Sequence, residues 1–470
     1  MARSHEERPG VSHVAVLDGL RGIAIAGVVW YHAWLVSRIS STLSIGHYTL
    51  DLQPLAQAGF MGVDLFFFVS GFCLFYPYAR HVFEGKPLPT IADFAVRRAE
   101  KILPSYAVAL AVFAIAHRSW FASTGSWVAH LAAHATFLHP LWFDTFGSIS
   151  GPFWTLGIEV QFYLLFPLVC YLFRRQPLLM FAGLCVLANG YRLLVAHLGA
   201  DTMLYPISQL PGVIDVFASG MLAAYAIAYA RRLPLGRRSR LVATSVTIAA
   251  VIAMVLLVRR LAAVAAATGD PGQYQWVNAH RPLFAALFLI CGVGSTIALP
   301  GWQRLVAQPA LVYLAAISYN LYLWHLEVIV WYQTHLSPFI RDVLHLPVAS
   351  DLVLPMVLSL VVATLATRVV ERPFLKGGWR LMAVRLRTAV SAFAALPPWK
   401  GRLLTASPTR DAGLHAETAL AAAVQHVRRH AERRGEAGAP DTGDVVHLGN
   451  ALGPLGDHPA IFADGVHTHP

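Results

Sequence analysis

The chain has 470 residues, 56% of them hydrophobic and 13% charged, with a mean hydropathy of +0.55. A soluble domain carries about 25% charge, and a soluble core this apolar would leave large patches exposed, so the composition excludes an ordinary soluble globule and indicates a polytopic membrane protein. The net charge of +11 gathers in short gaps between apolar stretches, as topology requires; no basic stripe interleaved with stacking aromatics occurs, which argues against nucleic acid.

In chain order, stretches long enough to span about 30 Å of hydrocarbon, roughly 20 residues each, lie near 19–37, 57–78, 101–118, 152–173, 177–197, 205–229, 241–258, 282–300, 308–333 and 351–371. The expected fold is therefore all-α, a polytopic membrane helix bundle of about ten transmembrane helices in the cell membrane. Between Trp127 and Trp142 the apolar run is interrupted by His130, His134, His139 and Pro140, which suits an interfacial or re-entrant helix. The leader holds Glu6, Glu7 and Asp18 with no small-residue cleavage site, unlike a cleaved signal peptide.

Arg80, Lys86, Arg97, Arg98 and Lys101 fall between spans two and three, Arg174 and Arg175 after span four, and Arg231, Arg232, Arg237, Arg238 and Arg240 after span six. By the positive-inside rule both termini are cytoplasmic; Arg259, Arg260 and Arg281 weigh mildly against this. Residues 1–376 read as the transmembrane domain and 377–470 as a cytoplasmic tail, helical near 412–434 and otherwise rich in Gly, Pro, Asp and His without a core-forming pattern. The seven tail histidines from His415 onward are irregularly spaced, which suits solvated side chains better than a metal site. Cys73, Cys170, Cys185 and Cys291 lie far apart within apolar spans, as inert core residues do.

Arg21 and His32 share the first span. Eleven residues separate them by about 16 Å along a helix, yet return them to within about 20° of one face. Ionisable groups in hydrocarbon cost a few kcal/mol each and mark function by default; a histidine satisfied by a neighbouring helix is the plainer alternative. Span two, GVDLFFFVSGF, carries Asp64 and Ser70, with Gly62 and Gly71 allowing close helix approach. Arg97, Arg98 and Lys101 open span three and could hold phosphates or simply anchor the helix. Span four places Glu159 and Tyr163 at i,i+4 on one face; a buried acid and a buried histidine in one bundle resemble a base and its orienting partner, whereas a structural ion pair is the bland alternative. In span nine Ser318, Tyr319, Tyr322 and His325 are polar points on an apolar helix, and Glu371–Arg372 reads as an interfacial anchor. No Rossmann, Walker, HExxH or GxSxG pattern is present.

Six strings in order, LDGLRG with an Arg-x10-His spacing, GVDLFFFVSGF, RRxxKIxP, WTLGIEVQFYLLFP, ISYNLYLWH and ERPF, resemble the acyltransferase-3 family of integral-membrane O-acyltransferases over about residues 12–376. The resemblance implies transfer of an acetyl or other short acyl group from acyl-CoA, a co-substrate rather than a bound cofactor, to a hydroxyl of a carbohydrate, glycolipid or surface glycan. It implies His32 as the catalytic histidine and Glu159 as the essential acid. Arg21, Arg97, Arg98 and Lys101 would grip the donor, with Asp64, Ser70, Tyr163, Ser318, Tyr319 and His325 in support and no metal. Lys101 departs from the family's usual arginine, keeping the charge but losing the planar fork. Some relatives carry a fused hydrolase-like domain; no GDS-type serine motif occurs in this tail. The expected mechanism has His32 removing the acceptor proton with Glu159 orienting or polarising it, by direct transfer or through a transient acyl-enzyme on Ser70 or a tyrosine. Acylation of a secondary metabolite such as a macrolide, or a non-enzymatic permease with a His–Glu proton relay, are the alternative readings. The partners implied are the lipid bilayer, acyl-CoA and a hydroxylated acceptor.

Overall fold

The computed structural model describes residues 14–45, 47–344 and 350–375; the tail expected at 377–470 and the leader lie outside the described residues. The chain forms α1 (Ala15–Ser37), α2 (Gln53–Gln57), α3 (Gly62–Glu84), α4 (Ile91–Ala116), α5 (Thr124–Ala135), α6 (Trp154–Arg175), α7 (Pro177–His197), α8 (Leu204–Ile207), α9 (Leu210–Ala230), α10 (Arg237–Ile297), α11 (Pro300–Val306), α12 (Pro309–Trp331), α13 (Ser337–Leu344) and α14 (Ser350–Ala366). A π-helical turn, Thr367–Glu371, follows α14. Between α1 and α2 an antiparallel hairpin pairs β1 (Thr42–Ile45) with β2 (Tyr48–Asp51), Thr42 opposite Asp51; hydropathy gave no sign of it because β2 is fully exposed.

Local chemistry sets the helix boundaries. Thr90 caps α4 by accepting from Asp93 N, and Ser123 caps α5 by accepting from Ser126 N, each satisfying an orphan amide. Prolines open α7, α11 and α12, where the missing N–H costs nothing. Helix α3 stops at Gly85, whose φ of +66° a side chain would strain.

Among the described residues, eight helical segments are long and apolar enough to cross a membrane, and a ninth crossing comes from the bent pair Pro300–Val306 and Pro309–Arg341, which turns through 42°. One of the eight, α10, has 61 residues and would run about 92 Å if straight, three times the hydrocarbon thickness. It breaks at Gly269 (φ +67°, ψ −166°). Leu299 N, just past its end, donates to Thr244 Oγ1 at 2.9 Å, and a Cβ on Gly294 would lie 2.2 Å from Thr247 Oγ1. Its two arms are therefore antiparallel, and they hold the stretches at 241–258 and 282–300 that the sequence read as separate spans. Helix α5, with 12 residues, reaches only about 18 Å and cannot cross, in keeping with the interfacial helix expected there.

The helices meet closely where glycine removes the side chain. A Cβ on Gly71 would lie 2.1 Å from Phe217 O, and one on Gly220 would lie 1.9 Å from Phe68 O, so α3 and α9 touch backbone to backbone. Along α1, Gly19 meets Val306 O and Gly22 meets Leu311 O in the same way. Gly22 beside Leu311 and His32 beside His325 make α1 and α12 run in the same direction. That contact delivers the polar points of α12 to those of α1.

Candidate active site

A cavity of about 60 Å³ lies between α1, α3, α6 and α12, with Arg21, Ser70, Glu159, Ser318 and Tyr319 among its polar walls and Val63, Phe66, Phe67 and Leu156 among its apolar ones. Four separated motifs thus converge on one small space. Ser70 Oγ donates to Glu159 Oε1 at 2.6 Å, and Tyr163 OH donates to the same oxygen at 2.5 Å. The carboxylate is held by hydroxyls from its own helix, one turn on, and from α3.

Arg98 and Lys101, i,i+3 on α4, both turn toward this cluster. The Arg98 guanidinium lies 5.7 Å over the Tyr163 ring and the Lys101 ammonium 5.6 Å over the Tyr319 ring. Arg97 does not join them; its side chain is exposed, since one residue is about 100° of helical rotation. Lys101 is also committed elsewhere. Its ammonium pairs with Glu371 Oε1, while Glu371 Oε2 accepts from Asn320 Nδ2 at 2.7 Å, and that amide also donates to Thr367 Oγ1 at 3.0 Å. Glu371 is 3% exposed, so it is a buried counter-ion rather than the interfacial anchor its sequence suggested. Pairing places Lys101 in the frame of the site instead of leaving it as a free grip for phosphate.

His32 stands beyond the cavity, about 16 Å along α1 from Arg21. Its Nδ1 lies 2.9 Å from Val28 O and 3.1 Å from His325 Nε2. His325 Nδ1 in turn lies 3.0 Å from Leu321 O and 2.9 Å from Tyr322 O. Carbonyl oxygens only accept, so both Nδ1 atoms carry protons and His325 Nε2 is the acceptor. That tautomer leaves the lone pair of His32 on Nε2, where a general base needs it. Glu159, expected from the sequence to orient or polarise, does not bond to His32: it bonds to Ser70 and Tyr163, and the partner of His32 is His325 from α12. Tyr322, on the cavity wall, stands between the cavity and the histidine pair, and Phe66 of the same wall meets its ring edge to face at 5.9 Å. Tyr322 OH is 2.9 Å from Thr155 Oγ1 and 3.2 Å from Pro152 O, and its ring is 5.8 Å from that of His325.

Asp64 does not line the cavity either. Arg281 Nε donates to Asp64 Oδ2 at 3.0 Å and Arg281 Nη1 to Ile207 O at 2.5 Å, so this carboxylate ties α3 to the second arm of α10. A second buried pair escaped the sequence reading: Arg192 donates to both carboxylate oxygens of Asp215, at 3.1 and 2.6 Å, and to Gly212 O at 2.8 Å. A bidentate arginine that also donates to a backbone carbonyl is a geometry in which a buried pair is tolerated, although Arg192 Nε has no partner among the described residues. Outside the spanning segments, the His134 and His139 rings stack at 4.1 Å, and Gly157 leaves room for Pro140 and His139 against α6. Burial pushes His139 down to about 4 and His134 well below the usual histidine value. His117 moves the other way: burial lowers it, but its 3.2 Å contact with Glu327 outweighs that and raises it.

A profile of the acyltransferase domain matches residues 14–368, most of the chain and every residue that lines the cavity. O-acetyltransferase OatA of Staphylococcus aureus strain NCTC 8325 is 24% identical over 404 residues, covering 82% of this chain and 59% of its own. OatA of strain COL is equally similar over the same length. The chain spans about three fifths of the length of the curated relatives it matches. No solved structure matches it. The family profile, spread over every motif that lines the cavity, makes this chain a multi-pass membrane member of the acyltransferase-3 family.

Proposed function

We propose that this chain is a membrane O-acyltransferase that moves an acetyl or other short acyl group from acyl-CoA to a hydroxyl of a carbohydrate, glycolipid or surface glycan. The observation that carries this reading is the pairing of two stations along α1: a small polar cavity holding Arg21, Ser70 and Glu159, and beyond it a histidine pair with a base-ready nitrogen on His32. Acyl transfer needs charge stabilisation where the thioester carbonyl becomes an oxyanion, and a base where the acceptor hydroxyl loses its proton. Arg21 suits the first, His32 the second. A cavity of about 60 Å³ suits an acetyl group better than a long chain, in line with the acetyl group named for the staphylococcal relatives.

With the amino terminus in the cytoplasm, as loop charge favours, Arg21, Arg98 and Arg97 face the CoA side and His32 lies nearer the opposite surface. His325 is then a positioning residue that fixes the tautomer of His32 and shares its proton. The test is comparative mass spectrometry of membrane glycans and glycolipids from cells expressing the wild type or His32→Ala at matched protein levels. Acyl esters should be present with the wild type and lost with the variant. Ester formation at the wild-type level by His32→Ala would refute the assignment.

A further inference from the structure

We infer that Ser70 is the nucleophile that first accepts the acyl group, so that the reaction passes through an acyl-enzyme. The inference rests on the acyltransferase reading and adds a covalent step to it. Five side-chain hydroxyls line the cavity: Ser70, Thr155, Ser318, Tyr319 and Tyr322. Four are committed to backbone carbonyls. Thr155 and Tyr322 both bond Pro152 O, Ser318 donates to Ala315 O at 2.9 Å, and Tyr319 donates to Ile102 O at 2.8 Å. Only Ser70 donates to a carboxylate, Glu159, at 2.6 Å. A hydroxyl on a carboxylate is an alcohol paired with its base, the arrangement that makes a weak nucleophile competent. Tyr163 shares that carboxylate oxygen but does not line the cavity. His32 does not line it either; Tyr322, whose ring lies 5.8 Å from that of His325, closes the cavity on that side.

In the first step Ser70 Oγ attacks the thioester carbonyl carbon and Glu159 takes its proton, with Arg21 beside the developing oxyanion. The C–S bond breaks and CoA departs as its thiolate, leaving the acyl ester on Ser70 and the proton on Glu159. In the second step, with Tyr322 rotated aside, the acceptor hydroxyl attacks the ester carbonyl and gives its proton to His32. The C–O bond to Ser70 breaks, Ser70 Oγ takes its proton back from Glu159, and the proton on His32 passes to solvent on the acceptor side, balancing the one the CoA thiolate takes from solvent on its own side. No oxidant or metal enters either step.

The test uses purified full-length protein and [14C]acetyl-CoA without acceptor. His32→Ala blocks the second step, so it should accumulate up to one acetyl group per chain on the Ser70 peptide, read by peptide mass spectrometry. The double variant His32→Ala/Ser70→Ala should stay unlabelled, and Ser70→Ala alone should lose about 100-fold or more of the wild-type CoA release. Because Ser70→Ala could fold poorly, His32→Ala/Ser70→Cys serves as a second variant; its adduct should be a thioester released by neutral hydroxylamine. Label on Tyr163, or none anywhere while the wild type acylates glycans, would overturn the acyl-enzyme and leave the acyltransferase reading standing. A wild type that neither consumes acetyl-CoA nor forms acyl esters would overturn both.

Discussion

Arg97 and Arg98 are neighbours in sequence, yet α4 turns them apart, and alanine at each position separates anchoring from donor binding. Arg98 lies 5.7 Å over Tyr163, whose hydroxyl bonds Glu159 of the cavity wall; Arg97 is exposed. A charge-assisted hydrogen bond from a guanidinium to a CoA phosphate contributes about 1.5–3 kcal/mol, and 1.4 kcal/mol is a factor of ten in affinity. Arg98→Ala should therefore raise the acetyl-CoA KM about 10- to 100-fold. An exposed arginine is screened by solvent and contributes about 0–1 kcal/mol, so Arg97→Ala should move KM by no more than about 5-fold. Arg98→Lys should fall between, because lysine keeps the charge without the fork. The assay is the initial rate of CoA release against acetyl-CoA concentration in detergent, at matched protein levels. Equal effects of the two alanine variants, or a larger one at Arg97, would refute the argument that orientation on α4 decides which arginine meets the donor.

Lys101 should behave differently from Arg98, because its counter-ion is already built in. Lys101→Ala strands the Glu371 carboxylate in a site 3% exposed, and breaking a buried pair costs about 3–5 kcal/mol; thermal unfolding in detergent should show a marked fall in Tm, largely restored by Lys101→Met with Glu371→Gln. An unchanged Tm with a raised donor KM would return Lys101 to the donor grip. The stacked histidines predict acid sensitivity. Burial holds His139 down at about 4 against about 6.5 in the unfolded chain, so the folded form is unpenalised above pH 6.5 and loses stability as pH falls toward 4, by about 2 kcal/mol at pH 5. His134, lowered as well, adds to the loss, while His117, raised by Glu327, contributes stability at acidic pH that disappears as pH rises through its folded value. The Tm of the wild type should drop between pH 7.5 and 5, and that of His139→Gln should drop less; identical pH profiles would refute the assignment to His139.

Polar residues in apolar spans were legible one at a time. Arg21, Ser70, Glu159, Ser318 and Tyr319 each stood out in hydrocarbon, and desolvation leaves such groups little choice but to face the interior; there they meet around one cavity. Partnership was not legible, because it depends on which helices become neighbours. Lys101 finds Glu371 across 270 residues, Asp64 finds Arg281 across 217 and His32 finds His325 across 293. Hydropathy carries no record of those adjacencies. It also placed the two arms of α10 correctly while giving no hint of the break at Gly269 that folds one arm back along the other. The clue to Asn320, an amide in the apolar run ISYNLYLWH, was present but had no partner to make sense of it until Glu371 proved buried.

The spacing of Arg21 and His32 acquires a different meaning once Tyr322 is placed between them. A single static centre would need the base and the oxyanion partner within a few ångströms of one carbonyl carbon, yet these groups lie about 16 Å apart on one rigid helix. An acyl-enzyme divides the work between two stations, and its second step requires that Tyr322 no longer separate the Ser70 ester from the acceptor at His32. Ser70 and Glu159 beside Arg21 form the donor station, and His32 with His325 forms the acceptor station. An acyl group parked as a serine ester in a cavity screened by aromatic rings is also shielded from water, which the thioester in open solution is not. On the proposed reading Tyr322, bonded to Thr155 and Pro152 on one side and facing His325 on the other, is the side chain whose rotation would join the two stations.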